Sequence, residues 1–152
     1  MSQSLCQLYV HLVFSTKNRY PFIKSRYSES LHAYLQTVSS DLKAPTLRVG
    51  GVADHVHILA RLPATLNISK WVQSIKANSS RWLKENVSTP GISKFSWQSG
   101  YGAFSISPGH VEALIHYIQD QENHHRTETF QEEYRRFLKI YQIPYDERYV
   151  WD

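Results

Sequence analysis

Apolar residues divide the chain into strand-like and helix-like segments. Four segments rich in β-branched and aromatic residues, in alternation or short continuous runs, predict strands at residues 5–16, 46–53, 55–62 and 95–107. Four other segments repeat apolar residues every three or four positions, and these predict helices. The first predicted helix runs from Ser28 to about residue 43, and the other three begin after Asn67, Ser107 and Thr129. All four residues are of types favoured at the N-cap, and Pro108 follows Ser107 at the first helical position, which favours proline.

This order of elements predicts the fold class. Strand, helix, two strands, helix and strand form the split βαβ pattern, which two further helices follow. We therefore expect a single α+β domain over residues 1–152, with a ferredoxin-like antiparallel sheet and helices on one face. The second face would be left to bind a partner subunit or nucleic acid.

A pair of histidines lies on the third predicted strand. His55 and His57 are two positions apart, so their side chains share one face while Val56 and Ile58 point to the other. Two imidazoles on one rigid face can converge on a divalent metal. Alone, the pair is more simply interpreted as two half-exposed polar residues on an amphipathic strand.

The third predicted helix carries a second polar pair. Tyr117 and Gln121 are one turn apart and share a flank of the apolar stripe, so the amide oxygen could bind the metal next to a phenol. Taken alone, the pair is more simply interpreted as an interfacial aromatic with a polar neighbour. The four nearby histidines are interpreted as structural or solvent-facing: His110, His116, His124 and His125.

Charge is distributed unevenly along the chain. The net charge is +4, but residues 1–111 carry twelve Lys/Arg against four Asp/Glu, whereas residues 112–152 carry five against nine. Basic clusters interleaved with aromatic residues suit contact with phosphates and stacking on bases, although a solvated basic face has the same composition. The candidate DNA-binding residues are Lys17, Arg19, Lys24, Arg26, Lys70, Lys76, Arg81 and Lys84.

Other sequence features narrow the class of protein. No apolar run is long enough for a membrane span and no signal pattern opens the chain, which predicts a cytoplasmic protein. The single cysteine, Cys6, excludes an internal disulfide and a thiolate metal cluster. We expect Cys6 to be buried near the first strand.

Several motifs in this order resemble a known family. They occupy residues 11–17 (HLVFSTK), 54–59 (DHVHIL), 97–107 (WQSGYGAFSIS), 117–121 (YIQDQ) and 145–149 (YDERY). Together they resemble the single-tyrosine HUH transposases of IS200/IS605-type insertion sequences, a group that includes REP-associated relatives. The resemblance spans nearly the whole chain.

The resemblance implies a function and a site. It implies a homodimer that binds hairpins in single-stranded DNA at element ends, with no small-molecule cofactor. His55, His57 and Gln121 would hold one Mg²⁺ or Mn²⁺, and Tyr117 would attack the DNA to give a 5′-phosphotyrosine. The histidine pair of one subunit would meet the tyrosine helix of the other.

Three alternatives remain open from the sequence. One is a domesticated REP-associated nuclease with the same chemistry. Another is a non-catalytic ferredoxin-like module that binds nucleic acid and has structural histidines. The last is a small metal-dependent hydrolase.

Overall fold

The computed structural model describes residues 2–152. Its four strands are β1 (Leu8–Ser15), β2 (Thr46–Val52), β3 (His55–Leu62) and β4 (Gly102–Ile106). Its five α-helices are α1 (Ser25–Asp41), α2 (Ile68–Asn86), α3 (Val111–Gln119), α4 (Gln121–His124) and α5 (Phe130–Ile140).

The strands form one antiparallel sheet in the order β2-β3-β1-β4. β1 and β3 are the central pair, and their register places His11 opposite Leu59 and Val13 opposite His57. This order is that of a split βαβ sheet, because α1 and α2 each connect strands that are not neighbours. The predicted antiparallel α+β architecture is confirmed.

Helices α1 and α2 cover the first face of the sheet. The inward side chains of the central strands, such as Leu12, Phe14 and Ile58, pack there against Leu35 of α1 and Trp71 of α2. Asn67 caps α2 by accepting a hydrogen bond from the backbone N–H of Lys70, as predicted. This face holds the main hydrophobic core.

The second face is not left open, contrary to our expectation. Helix α5 packs on it through Phe130, Tyr134 and Phe137, which contact Val13 and Phe104 of the sheet. Helix α3 packs on β2. The amphipathic pattern of α5 predicts a buried stripe, but it does not tell which surface the stripe covers. Both layers of helices therefore come from one chain.

Two glycines allow α3 and α5 to approach the sheet closely. A side chain at Gly50 of β2 would meet the carbonyl oxygen of Ile118 at 2.7 Å, and one at Gly102 of β4 would meet the ring of Tyr134 at 2.6 Å. Since neither distance leaves room for a Cβ, glycine at these positions lets α3 and α5 lie directly on the sheet.

Several predicted boundaries were wrong. β1 begins at Leu8 rather than at residue 5, and Cys6, expected to be buried, is exposed before it. α1 begins at Ser25 without a side-chain cap, so Ser28 lies inside the helix. β4 begins only at Gly102, because most of residues 95–101 form a loop with one isolated bridge, between Trp97 and Thr16.

The third predicted helix is broken. It begins with a 3-10 turn at Pro108–His110, continues as α3 and ends at Asp120, after which α4 starts with Gln121. Tyr117 and Gln121 therefore belong to different helices. None of the helices within residues 2–152 combines the length and apolar character that crossing a bilayer requires.

Candidate active site

His55 and His57 point from β3 into the layer between the sheet and the C-terminal helices. Both side chains are completely buried, and their ring centroids are 5.0 Å apart. Val56 and Ile58, between and beside them, pack in the core on the opposite face. The period of the strand thus places the two imidazoles together, as the sequence predicted.

Polar neighbours orient both rings. His55 Nδ1 lies 2.7 Å from a carboxylate oxygen of Asp54, and His57 Nδ1 lies 2.8 Å from Nε2 of His11 on β1. With these Nδ1 atoms engaged, both Nε2 atoms face the interior of the site. Partners of this kind fix the orientation of metal-binding histidines in proteins.

The electrostatics of the two histidines differ. Burial opposes a charge on His55, but hydrogen bonds with Asp54 and Glu133 outweigh it and raise its pKa to about 9. Burial lowers the pKa of His57, although Glu133 acts in the opposite direction. Binding of a divalent cation at this position would require His55 to lose a proton, whereas His57 would bind without losing one.

The α4 region contributes two further groups. The side-chain oxygen of Gln121 lies 3.0 Å from His55 Nε2 and 3.1 Å from His125 Nε2. Gln121 is therefore next to the histidine pair, as the sequence predicted, in spite of the break in the helix. His125, which was interpreted as structural or solvent-facing, joins the same cluster.

Glu133 of α5 lies at the centre of the site. Its Oε1 atom is 3.0 Å from Nε2 of His57 and 3.3 Å from Nε2 of both His55 and His125. Its Oε2 atom accepts a hydrogen bond from Gln121 Nε2 at 3.3 Å. Burial opposes ionisation of Glu133, but its bonds with the three histidines outweigh burial and hold the pKa of the carboxyl well below its ordinary value.

Tyr117 reaches the same carboxylate from α3. Its hydroxyl donates to Oε2 of Glu133 and accepts a hydrogen bond of 2.8 Å from the Arg136 guanidinium. Burial and then the charge of Glu133 raise the pKa of the phenol above its ordinary value, and Arg136 acts against both. Its ring is stacked on His124 with centroids 4.3 Å apart.

The donor set suits a divalent cation. One donor atom from each of His55, His57, His125 and Glu133 lies within 4.8 Å of all the others. The amide oxygen of Gln121 adds a neutral ligand to this group. A mixed set of imidazole nitrogens and oxygens fits Mn²⁺ and accommodates Mg²⁺ less well.

The predicted DNA-binding residues occupy different parts of the surface. Six of them have exposed side chains: Lys17, Lys24, Arg26, Lys70, Arg81 and Lys84. Arg19 is half-buried, and its guanidinium lies 5.8 Å from the ring of Trp151.

Lys76 differs from the other basic residues. Its amino group donates to the backbone carbonyls of Gln98 and Gly100 at 2.7 and 2.6 Å, and to that of Ser99 at 3.2 Å. It also lies 5.1 Å from the ring of Phe14. Burial lowers the pKa of Lys76 to about 8. These contacts hold the loop before β4 in place.

Sequence reasoning missed Glu133, Arg136 and the role of His11. Glu133 follows Phe130 by three positions and precedes Phe137 by four, so it occupies the buried stripe of α5. An acid on such a stripe is a usable signal, because a buried carboxylate needs partners. His11 belongs to the first of the quoted motifs, but the sequence assigned no partner to it.

Comparisons with known proteins agree with this architecture. Residues 4–121 match the model of the family described as IS200-like transposases. That match ends at Gln121, before His125 and Glu133. None of the curated proteins matches the chain.

Two solved structures share the fold. One is a protein of Deinococcus radiodurans R1 assigned as a candidate transposase, with a TM-score of 0.63 and 22% identity, over 80% of this chain and 98% of the other. Another is a REP-associated tyrosine transposase bound to a REP hairpin, with a TM-score of 0.59 and 15% identity, over 82% of this chain and 74% of the other. Since the family match covers most of the residues, the chain belongs to the IS200-like transposase family.

Proposed function

We propose that this protein is a metal-dependent transposase that cleaves and rejoins single-stranded DNA through a tyrosine. The observation that carries the proposal is the position of Glu133, which contacts Tyr117 with one oxygen and the imidazoles of His55 and His57 with the other. A nucleophile and a set of metal ligands are thereby joined within one chain. A module that only binds nucleic acid would not need this arrangement.

His55, His57 and Gln121 are the proposed ligands of one Mg²⁺ or Mn²⁺, and Glu133 and His125 complete the set. The ion supplies Lewis-acid chemistry at the scissile phosphate when bound. Asp54 and His11 engage the Nδ1 atoms of His55 and His57, so the Nε2 atoms of the two strand histidines would be the ones that hold the ion. His55, His57, Gln121 and Glu133 are buried, which limits the access of bulk water to these four ligands, whereas His125 is half-buried.

Tyr117 is the proposed nucleophile. Its phenolic oxygen forms a bond to the phosphorus, the bond from phosphorus to the 3′-oxygen breaks, and a 5′-phosphotyrosine and a free 3′-hydroxyl result. The hydrogen bond from Tyr117 to Glu133 holds the phenolic oxygen in place for attack, and the phenolic proton ends on the leaving 3′-oxygen. Arg136, at 2.8 Å from the phenolic oxygen, stabilises its negative charge. Attack by another 3′-hydroxyl reverses the step and joins new DNA.

The exposed cations are the proposed contacts to the DNA backbone. Lys70, Arg81 and Lys84 lie on α2, and Lys17, Lys24 and Arg26 lie at or near the loop that leaves β1. Lysines and arginines on an open surface bind phosphates without reading the sequence. Lys76 is left out of this group, because its charge is already matched by three carbonyls.

Hairpins at the ends of a mobile element are the proposed substrate. Similarity to the REP-associated transposase bound to a REP hairpin supports a hairpin ligand, and it equally favours a domesticated relative with the same chemistry. The genomic neighbourhood separates the two. Several copies bounded by element ends indicate transposition, whereas a single copy among palindromic repeats indicates the relative.

A homodimer remains part of the proposal. The outer strands β2 and β4 each have one edge without a partner in residues 2–152, so either could extend the sheet into a second copy. The partner is not required to supply the nucleophile, because Tyr117 and the histidine pair lie together in one chain. Light scattering after gel filtration tests the dimer.

A denaturing gel tests the proposed reaction. The protein is incubated with Mn²⁺ and a hairpin-bearing single strand taken from the DNA that flanks its gene. We expect a slower protein band that resists denaturant, requires the metal and is lost in Tyr117→Phe. Tyr149→Phe is the matched control, because Tyr149 is exposed and outside the site.

A further inference from the structure

The loop of residues 17–22 separates two clefts. From Asn18 to Phe22, successive residues of this loop line the two clefts in turn. The first, the His125 cleft, has a volume of about 590 Å³ and is lined by Arg19, Pro21, Asp54, His125, Arg126 and Thr129. The second, the Tyr20 cleft, has a volume of about 510 Å³ and is lined by Lys17, Tyr20, Phe22, Gly91, Lys94 and Ser96.

The loop is fixed to the candidate active site. The backbone N–H of Thr16 donates to the carbonyl of Asp54 at 2.8 Å, and the Thr16 hydroxyl donates to the carbonyl of Tyr20 at 2.6 Å. Ile23 donates to the carbonyl of Ala53 at 3.0 Å. Since His55 follows Asp54 directly, the loop has a fixed position next to the metal ligands.

Arg19 has an unpaired hydrogen-bond donor beside these ligands, although its guanidinium also lies over the ring of Trp151. Its Nη1 atom is buried and has no hydrogen-bond partner among residues 2–152. The backbone of Arg19 has a φ of 57°, a left-handed conformation that arginine rarely adopts. An uncommon backbone conformation in a residue that lines a cleft and has an unpaired Nη1 suggests a ligand. A guanidinium suits a phosphate, because its N–H groups match two phosphate oxygens.

The opposite side of the loop suits a base. The ring of Tyr20 is 59% exposed, and its centroid lies 4.5 Å from that of Phe22. Lys17 and Lys94 line the same cleft with exposed side chains. Exposed aromatic rings between cations are the usual platform on which proteins stack the bases of single strands.

We propose that the loop of residues 17–22 binds one unpaired nucleotide of the DNA strand next to the scissile phosphate. Arg19 binds the phosphate of this nucleotide in the His125 cleft, and Tyr20 stacks on its base in the Tyr20 cleft. This inference rests on the proposed function and adds to it a site for a single-stranded nucleotide. Stacking on an aromatic ring does not depend on which base is present, so any of the four bases fits.

Fluorescence anisotropy with two labelled probes tests the proposal. One probe is a strand of twelve thymidines, and the other is the same strand without bases. We expect Tyr20→Ala to weaken binding of the thymidine strand by about tenfold and to leave the abasic strand unaffected. Tyr20→Phe should bind both probes like the wild type, because stacking does not need the hydroxyl.

Arg19→Gly tests the phosphate contact on both probes. Glycine suits the left-handed backbone at this position, so the variant removes the guanidinium without straining the fold. We expect the slope of log affinity against log salt to fall by about one. Tyr149→Ala and Arg61→Ala are matched controls, because both residues are exposed and lie outside the loop; neither should change binding.

Three results would overturn the inference: no binding of the thymidine strand by the wild type, an equal loss on both probes in Tyr20→Ala, or an unchanged salt slope in Arg19→Gly. The covalent adduct of Tyr117 does not depend on any of them. If the adduct forms while the loop variants bind normally, the proposed reaction stands and the nucleotide site does not. If no adduct forms while the loop variants behave as expected, the chain binds single strands without cleaving them.

Discussion

The hydroxyl of Tyr117 donates a hydrogen bond to Glu133, whose other oxygen lies 3.0 Å from His57. One carboxylate on α5 thus connects the candidate nucleophile on α3 with the histidine pair on β3. Loss of this carboxylate should affect the metal and the phenol together.

Glu133→Gln should weaken metal binding. The amide keeps the size of the side chain but removes its charge, so the histidines lose their anionic partner. We expect the affinity for Mn²⁺, measured by isothermal titration calorimetry, to fall by at least about tenfold. Glu132→Gln is the matched control, since Glu132 is exposed on the same helix. Equal affinities of the two variants would exclude Glu133 from the metal site.

His11 should act as a positioning residue for His57. The Nε2 atom of His11 lies 2.8 Å from Nδ1 of His57. His11 is buried and does not contact Tyr117, the proposed nucleophile. His11→Phe keeps a ring in this space but cannot hold the orientation of His57. We expect a loss of Mn²⁺ affinity of about 10- to 100-fold, with the adduct restored at high metal concentration. An unchanged affinity would show that His57 is oriented by other groups.

Lys76 should contribute to stability more than to DNA binding. Lys76→Met leaves three carbonyls without their donor, so we expect the free energy of unfolding to fall by about 1 to 3 kcal/mol in urea titrations. Lys70→Met, on the exposed part of the same helix, should leave stability unchanged and lower the salt dependence of DNA binding. If Lys76→Met instead lowered the salt dependence of DNA binding and left stability unchanged, Lys76 would belong to the DNA-binding surface.

His32 should make the protein less stable in acid. Burial and then the charge of Arg48 lower the pKa of His32 to about 4, whereas the unfolded chain has the ordinary value of about 6.5. Between these values the unfolded state binds more protons, so stability falls as the pH decreases from 6.5 to 4. Glu29, Asp120, Glu122 and Arg126 line the same cleft as His32 and Arg48.

Urea titrations at pH 7 and pH 4.5 measure this dependence. We expect His32→Gln to reduce the loss of stability between the two pH values by about 2 kcal/mol relative to the wild type. His116→Gln is the control, because His116 is exposed and makes only a distant contact with Glu112. An identical loss in the wild type and His32→Gln would mean that His32 does not titrate in this range.

The sequence predicted the parts of the site that depend on local periodicity. Alternation along β3 was enough to place His55 and His57 on one face, and proximity in sequence was enough to bring Gln121 near Tyr117. Asn67 and Thr129 were predicted as caps from their residue type, and in the structure their side chains accept hydrogen bonds from the backbone N–H groups three residues later.

The remaining parts depend on tertiary packing. The stripe of α5 identifies a buried face, but only the folded chain shows that this face covers the sheet and brings Glu133 to the histidines. Likewise, periodicity places Lys76 on a flank of α2, but its three carbonyl partners come from a loop more than twenty residues later. Long-range contacts of this kind leave no regular pattern in the sequence.

Mass spectrometry of the covalent adduct tests the central claim most directly. After reaction with Mn²⁺ and the hairpin-bearing strand, the DNA is digested with nucleases and the protein with a protease. We predict that one peptide carries a nucleotide attached through its 5′-phosphate to Tyr117. A nucleotide on any other residue, or no modified peptide from a preparation that binds both metal and DNA, would contradict the account.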